Sequence, residues 1–311
     1  MTTNRNRRSV SRELIAEIWA AQGLGIVKSV KRTTGGVVNA CYVVNEDLMI
    51  RLNARDPQFA KMRNEAIAYQ FLSGTAVPVP EVICLDESRE TAPYDYLITT
   101  RLPGTNIFGS RHQLGDQQIR KLAWEAGRYL AEVHEITFEA YGKLSEVESN
   151  PFPTWPAYFN DYVKRYLEPA RRERMLSNET LSQLERILEQ DSSALSQVDH
   201  SVLVHSDYHY ENILQVDGRI TGIIDFEWAY AGDPASDFVP STNREEVLPG
   251  SEEYFLEGYQ SQRSLTEGFD ERIAIYRLFL ELETVVTYHR LGDLERFTQA
   301  KTVLDSYFTL H

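Results

Sequence analysis

One change in the spacing of apolar residues, near residue 102, constrains the fold of this chain more than any other feature. Before it, β-rich pieces at 26–30, Ala40–Val44 and Leu48–Leu52 are separated by Gly35-Gly36 and by Asn45-Glu46-Asp47, the punctuation of antiparallel hairpins. Ser11 precedes an amphipathic helix with Leu14, Ile15, Ile18 and Trp19 on one stripe and a stop at Gly23. A second helix covers 57–73, Pro78 and Pro80 break the chain, and two more strands are predicted around 81–85 and 94–100. Past Leu102-Pro103-Gly104 the spacing turns helical, over 117–136, 155–170, 178–196, 251–262, 269–291 and from Leu294 to about Tyr307. One stretch, 202–226, reverts to strands and turns. The expected architecture is α+β: a small antiparallel β unit over 1–102 and a larger, mostly helical unit over 103–311, hinged at Pro103-Gly104.

Composition narrows the function. Lys and Arg total 32 against 46 Asp and Glu, a net charge of −14. Nucleic acid and anionic lipid are bound through cationic patches, so neither is an expected partner, whereas cations are attracted. Cys41 and Cys84 lack CxxC spacing, which argues against a disulfide framework or a zinc site and for buried thiols. The basic N-terminus has no apolar segment of the signal-peptide kind, and no run approaches the ~20 residues of a membrane span. A cytoplasmic protein is expected.

Residues 202–238 read VLVHSDYHYENILQVDGRITGIIDFEWAYAGDPASDF. Two apolar strands flank a turn at Asp217-Gly218, with polar groups at their outer ends. Phosphoryl transfer needs such a convergence. Mg²⁺ takes one or two carboxylates and an amide oxygen together with phosphate oxygens, and a separate carboxylate must receive or orient the attacking hydroxyl. Protein kinases supply these groups as an Asp, an Asn five residues later and a second Asp after the next strand, and Asp207, Asn212 and Asp225 resemble that arrangement. His205 and His209 are expected as structural hydrogen-bonding groups. Gly35 and Gly36 lie in a hairpin loop whose backbone N–H groups could approach phosphates.

HSDYHYENIL followed by GIIDFEWAYAGDPASDF resembles the aminoglycoside phosphotransferase and choline-kinase-like family. The resemblance covers about two-thirds of the chain, from Lys31 to Asp237, and is strongest from Val202 on. It implies a two-lobed protein-kinase-like fold with a small antiparallel β N-lobe and a larger helical C-lobe. It makes Asp207 the catalytic base and Asn212 and Asp225 the Mg²⁺ ligands. Arg51 stands where the family's phosphate-binding lysine is carried, and Glu65 matches its partner glutamate. Thr100 and Leu102 would meet the purine of ATP or GTP through their backbone. Ser206 replaces the usual glycine of the first motif. The 232–234 stretch is expected to be structural, with Asp237 capping or orienting it.

The implied activity is a kinase of a hydroxyl-bearing small molecule. Aminoglycosides, with antibiotic resistance as the role, are one acceptor class; choline and homoserine are others. The alternative is a nucleotide-binding pseudokinase, opposed by the intact Asp207, Asn212 and Asp225. Protein kinase activity is disfavoured because Gly232-Asp233-Pro234 follows Asp225 too closely for an activation loop. The net charge and the carboxylates Glu227, Asp233, Asp237, Glu281 and Glu283 suggest a cationic acceptor. Asp237 and Glu281 are its expected ligands. Oligomeric state is not legible.

Overall fold

The computed structural model describes residues 10–33, 39–53, 62–190 and 192–309. Helix α1 (Arg12–Ala21) leads into strands β1 (Val30–Arg32), β2 (Ala40–Val44) and β3 (Leu48–Leu52); α2 (Met62–Leu72) follows, then β4 (Val82–Asp86) and β5 (Tyr96–Thr100). The strands form one antiparallel sheet in the order β1-β2-β3-β5-β4. Its register decides which face each side chain takes. Tyr42, Ile50 and Ile98 stand in one row, and Ala40, Leu52 and Tyr96 in another. All six are buried with Ile15, Ile18 and Trp19 of α1. The row between them is Cys41, Arg51 and Leu97. Strand side chains alternate faces, so Arg51 points away from α1, to the side where Leu97 packs on Met62 and Ala66 of α2. Ser11 caps α1, accepting from Leu14 N at 3.1 Å.

The first strand begins at Val30, not Ile26. Asn45 explains the difference. Its Oδ1 accepts from Lys28 N at 2.7 Å and Ser29 N at 3.2 Å, and its Nδ2 donates to Ile26 O at 2.8 Å. A side chain thus takes the backbone groups that a ladder would need. Cys41 and Cys84 are unpaired and half-buried, less enclosed than the sequence suggested.

The rest of the chain is mostly helical, which makes the architecture two-lobed α+β. It comprises β6 (Thr105–Asn106), α3 (Ile107–Ser110), α4 (Asp116–Val133), β7 (Thr137–Phe138), β8 (Gly142–Lys143), α5 (Trp155–Arg172), α6 (Asn178–Gln190) and α7 (Ser192–Leu195). Next come β9 (Ser201–Val204), β10 (Ile213–Val216), β11 (Arg219–Ile223), β12 (Tyr230–Gly232), α8 (Arg244–Val247), α9 (Glu252–Gln260), α10 (Phe269–Leu291) and α11 (Leu294–Thr309). The helix expected over 178–196 is therefore two. Strands β10 and β11 pair through the predicted turn, where Asp217 (φ 49°) and Gly218 (φ 73°) both take the left-handed conformation. Strand β9 joins a different sheet, β7-β9-β12-β8, while β10 pairs with β6. Helices α4 and α9 touch backbone to backbone: a Cβ on Gly127 would lie 1.9 Å from Phe255 O, and one on Gly258 2.0 Å from Trp124 O. One core gathers α4, α9 and the β10–β11 hairpin, and a second gathers α5, α6, α10 and α11. Among the described residues no helix is long and apolar enough to cross a membrane.

Candidate active site

Asn212 and Asp225 sit just beyond the last paired residues of the hairpin, Ile213 and Ile223. Ile224 N donates to Asn212 O at 3.0 Å, so the two side chains leave the same end of the hairpin. His205 ties the Asp207 loop to that end. Its Nδ1 accepts from Asp207 N at 3.3 Å, which leaves Nε2 to donate to Ile224 O at 3.1 Å. The ring packs 4.2 Å from Phe226, and burial pulls its pKa down, so it works as a neutral clamp.

Asp207 is held from both sides. Ser241 Oγ donates to Oδ1 at 2.6 Å, while His209 Nε2 at 3.2 Å and Asn212 Nδ2 at 3.3 Å face Oδ2. His209 Nδ1 accepts from Glu211 N at 3.2 Å, so the ring proton sits on Nε2, toward Asp207. Burial pushes the Asp207 carboxyl up, but the bonds from His209 and Ser241 outweigh it and hold its pKa below the ordinary value. The group is a carboxylate at neutral pH, ready to accept a hydroxyl proton. Asn212 Nδ2 also donates to Asp207 O at 3.0 Å, which leaves Oδ1 on the other side of its carboxamide.

Asp237 belongs to the scaffold. It is 1% exposed; Oδ2 accepts from His205 N at 2.8 Å and His134 Nε2 at 3.0 Å, and Oδ1 from Ser206 N at 2.6 Å. The expectation that it meets an acceptor is corrected: both oxygens are already engaged in anchoring the loop before Asp207. Ser206, at the position where glycine is usual, takes φ 71°. Asp233 is equally internal, bound by Arg272 Nε at 2.6 Å and Tyr276 OH at 2.5 Å. Glu281 lies on α10 beside Tyr307 of α11, whose phenol is raised by burial and then by the Glu281 charge. Among the described residues no hydrogen bond or ion pair joins it to the Asp207 group. Glu283 instead turns to α5, where Tyr162 and Tyr166 both donate to it.

Arg51 forms the second half of the site. Its Nη1 lies 2.6 Å from Glu65 Oε1, and its Nη2 lies 3.1 Å from both Asp225 Oδ1 and Glu227 Oε2. Burial works against the guanidinium charge, yet three carboxylates hold its pKa well above the ordinary value. Burial likewise pushes Glu65 up while Arg51 pulls it down. Tyr69, one turn along α2, donates to Glu65 Oε1 at 2.7 Å and accepts from Asp225 N at 3.2 Å. Asn39 Nδ2 donates to Glu227 Oε2 at 3.0 Å, and Asn64 bridges Glu227 O at 3.4 Å and Ser145 N at 3.0 Å. Sequence reasoning assigned none of these roles to Asn39, Asn64, Tyr69, Glu227 or Ser241. Only Tyr69 had a local signal, four residues after Glu65 on the same helix face.

Gly35 and Gly36 lie outside the described residues. Thr100 is tied to Glu81 through its N at 2.9 Å and Oγ1 at 2.9 Å. Leu102 lies against the hairpin: a Cβ on Gly222 would come within 2.7 Å of its Cδ1. Leu102, next to the expected hinge at Pro103-Gly104, therefore rests on β11, the strand that leads to Asp225.

Among the described residues there is no cluster of three or more His, Cys, Asp and Glu side chains that could hold a metal. The donors at this end of the hairpin are the Asp225 carboxylate, 36% exposed, and the Asn212 amide oxygen. Two hard oxygen donors suit Mg²⁺, which keeps several waters and takes phosphate oxygens. Glu65 Oε2 and Arg51 Nε are buried without a hydrogen-bond partner among the described residues, so this half of the site has polar capacity unspent.

The fold has close solved counterparts. The gentamicin complex of APH(2")-IIa superposes with a TM-score of 0.71 over 95% of this chain and 96% of its own, at 19% identity. The aminoglycoside phosphotransferase APH(2")-Ib, bound to ADP, gives 0.67 over 94% and 97%, at 18% identity. A candidate fructosamine-3-kinase from Thermobifida fusca gives 0.69 over 92% and 98%, at 17% identity. No curated protein sequence matches the chain. The profile of the phosphotransferase enzyme family matches residues 29–272. With most of its length inside that match, and with the motif residues gathered at one hairpin end, the chain belongs to the phosphotransferase enzyme family.

Proposed function

We propose that this phosphotransferase moves the γ-phosphate of ATP or GTP to a hydroxyl of a small, cationic acceptor. The observation that carries the reading is Asp207: a carboxylate kept ionised by His209 and Ser241, and tethered by His205 and Asn212 to the segment that ends in Asp225. In this reading Asp207 orients the acceptor hydroxyl and receives its proton. Asn212 and Asp225 would hold Mg²⁺, which neutralises phosphate charge when bound. Arg51, backed by Glu65, turns toward the phosphates, and the backbone of Thr100 and Leu102 receives the purine. These contacts are made by backbone, so the side chains do not name adenine or guanine, and both donors are kept. Two lobes meeting at residues 102–103 would enclose the nucleotide.

A cationic acceptor is supported by the net charge of −14. Of the two expected acceptor ligands Glu281 on α10 is kept, since Asp237 and also Glu283 have both carboxylate oxygens engaged by donors of this chain. Aminoglycosides fit this description, as do choline and amino sugars formed by glycation.

A nucleotide-coupled turnover screen of the purified chain with Mg²⁺ tests the reading. Gentamicin, kanamycin, choline, homoserine, a fructosamine and neutral sugars would serve as acceptors. A phosphorylated cationic acceptor is the expected result. Turnover of neutral sugars alone would overturn the acceptor class. Tight Mg-nucleotide binding with no turnover on any acceptor would favour the pseudokinase alternative.

A further inference from the structure

Arg51 addresses partners through both arms of its guanidinium. Nη1 meets Glu65 on α2, and Nη2 meets Asp225 and Glu227 on the segment after β11. The partners belong to different parts of the fold, separated by 160 residues or more along the chain. Glu227 is the member that adds load. It is 7% exposed, and its Oε2 also accepts from Asn39 Nδ2, next to the end of β1–β2 connection. Its backbone oxygen accepts from Asn64 of α2 at 3.4 Å. Among the described residues three carboxylates crowd one cation, in a place where the proposed reading brings phosphates.

We infer that Glu227 is a positioning residue for Arg51, and that its carboxylate makes arginine, not lysine, necessary at position 51. The inference rests on the proposed contact between Arg51 and the nucleotide phosphates. A guanidinium presents two donor arms in a fixed fork and spreads its charge across both. An ammonium is one point. Placed at Glu65, it gives up the contacts to Glu227 and Asp225. Placed at Glu227, it abandons Glu65. Without the Glu227 carboxylate a lysine can stay with Glu65 and has one fewer contact to abandon. Asn39 extends the arrangement, because the same Glu227 oxygen that receives Arg51 also holds the start of β2.

The test is a double-mutant cycle on the full chain: wild type, Arg51→Lys, Glu227→Gln and the double variant. Calorimetry with Mg²⁺ and the β,γ-imido analogues of ATP and GTP gives the dissociation constants, and urea unfolding of the same samples checks the fold. Glu227→Gln by itself is not diagnostic, because losing a carboxylate also eases phosphate repulsion. The expected result is that Arg51→Lys weakens nucleotide binding about tenfold in the wild-type background and less than about threefold beside Glu227→Gln, a coupling of the size found between contacting charges. Equal losses in both backgrounds would overturn the role of Glu227 while leaving Arg51 as a phosphate ligand. If Arg51→Lys and Arg51→Ala both bind nucleotide like wild type, the phosphate contact fails and the role of Glu227 fails with it.

Discussion

Asp237→Asn separates a loop anchor from an acceptor ligand. In the folded chain Oδ2 accepts from His205 N and His134 Nε2 at 2.8 and 3.0 Å, and Oδ1 accepts from Ser206 N at 2.6 Å. Asparagine offers one acceptor oxygen and one NH₂ donor. Seating its oxygen at the Oδ2 position keeps two contacts and sets the NH₂ against the Ser206 N–H. One hydrogen bond to a charged group is lost, about 1.5–3 kcal/mol, and a buried N–H is left unpaired, about 1–3 kcal/mol. The two terms overlap, so a loss of about 3 kcal/mol is expected, a large share of the ~5–15 kcal/mol of a typical fold. Ser206 already occupies φ 71°, a conformation that costs a non-glycine residue about 1–2 kcal/mol. Released from Asp237, it has reason to relax and to carry Asp207 with it. A displacement near 1 Å can lower turnover about 10²-fold. Urea unfolding should therefore move to lower denaturant and kcat should fall, with the nucleotide dissociation constant little changed. The reasoning is refuted if the variant unfolds like wild type and only the KM for the acceptor rises, since Asp237 would then be touching the acceptor.

Asp207→Ala should lower kcat by about 10²–10⁴-fold with nucleotide affinity nearly unchanged, whereas Asp225→Ala should weaken Mg-nucleotide binding as well; coupled turnover and calorimetry distinguish them. His209→Ala removes a main force holding the Asp207 pKa down, so burial prevails and the acid limb of the kcat/KM profile should move to higher pH. The sign follows from linkage: a depressed carboxyl contributes stability above its unfolded pKa and loses it as pH falls through the folded one, so wild type should also resist acid better than the variant. An unmoved limb would mean that His209 does not set the Asp207 charge. Gly127→Ala places a Cβ 1.9 Å from Phe255 O, so α4 and α9 must separate; an unfolding free energy lower by about 1–3 kcal/mol is expected in urea unfolding, and a variant as stable as wild type would refute the close approach.

Local periodicity carried much of the architecture. Strands β2, β3 and β5, helices α4, α5, α9, α10 and α11, and the Asp217-Gly218 turn were all legible, because each is specified by neighbours within a few residues. The Asp207, Asn212 and Asp225 spacing was legible because all three lie within one short stretch, the loop before β10 and the two flanks of the β10–β11 hairpin. Two-residue strands such as β6, β7 and β8 have no periodicity to read, and the late start of β1 depends on a side chain, Asn45, from a later turn.

The sequence by itself determined that Arg51 takes the face of its strand opposite to Ile50 and Leu52, since strand side chains alternate with a period of two. It could not determine what Arg51 meets there. Glu227 is 176 residues away along the chain, and Asn39 reaches Glu227 across 188. Likewise the residues near Asp237 in sequence gave no sign that its partners would be His134, His205 and Ser206, or that Glu283 rather than Glu281 would face α5. Those outcomes were decided by how helices and sheets pack, because a charged side chain takes its role from whichever donors the tertiary structure brings to it, and only the packed chain brings them.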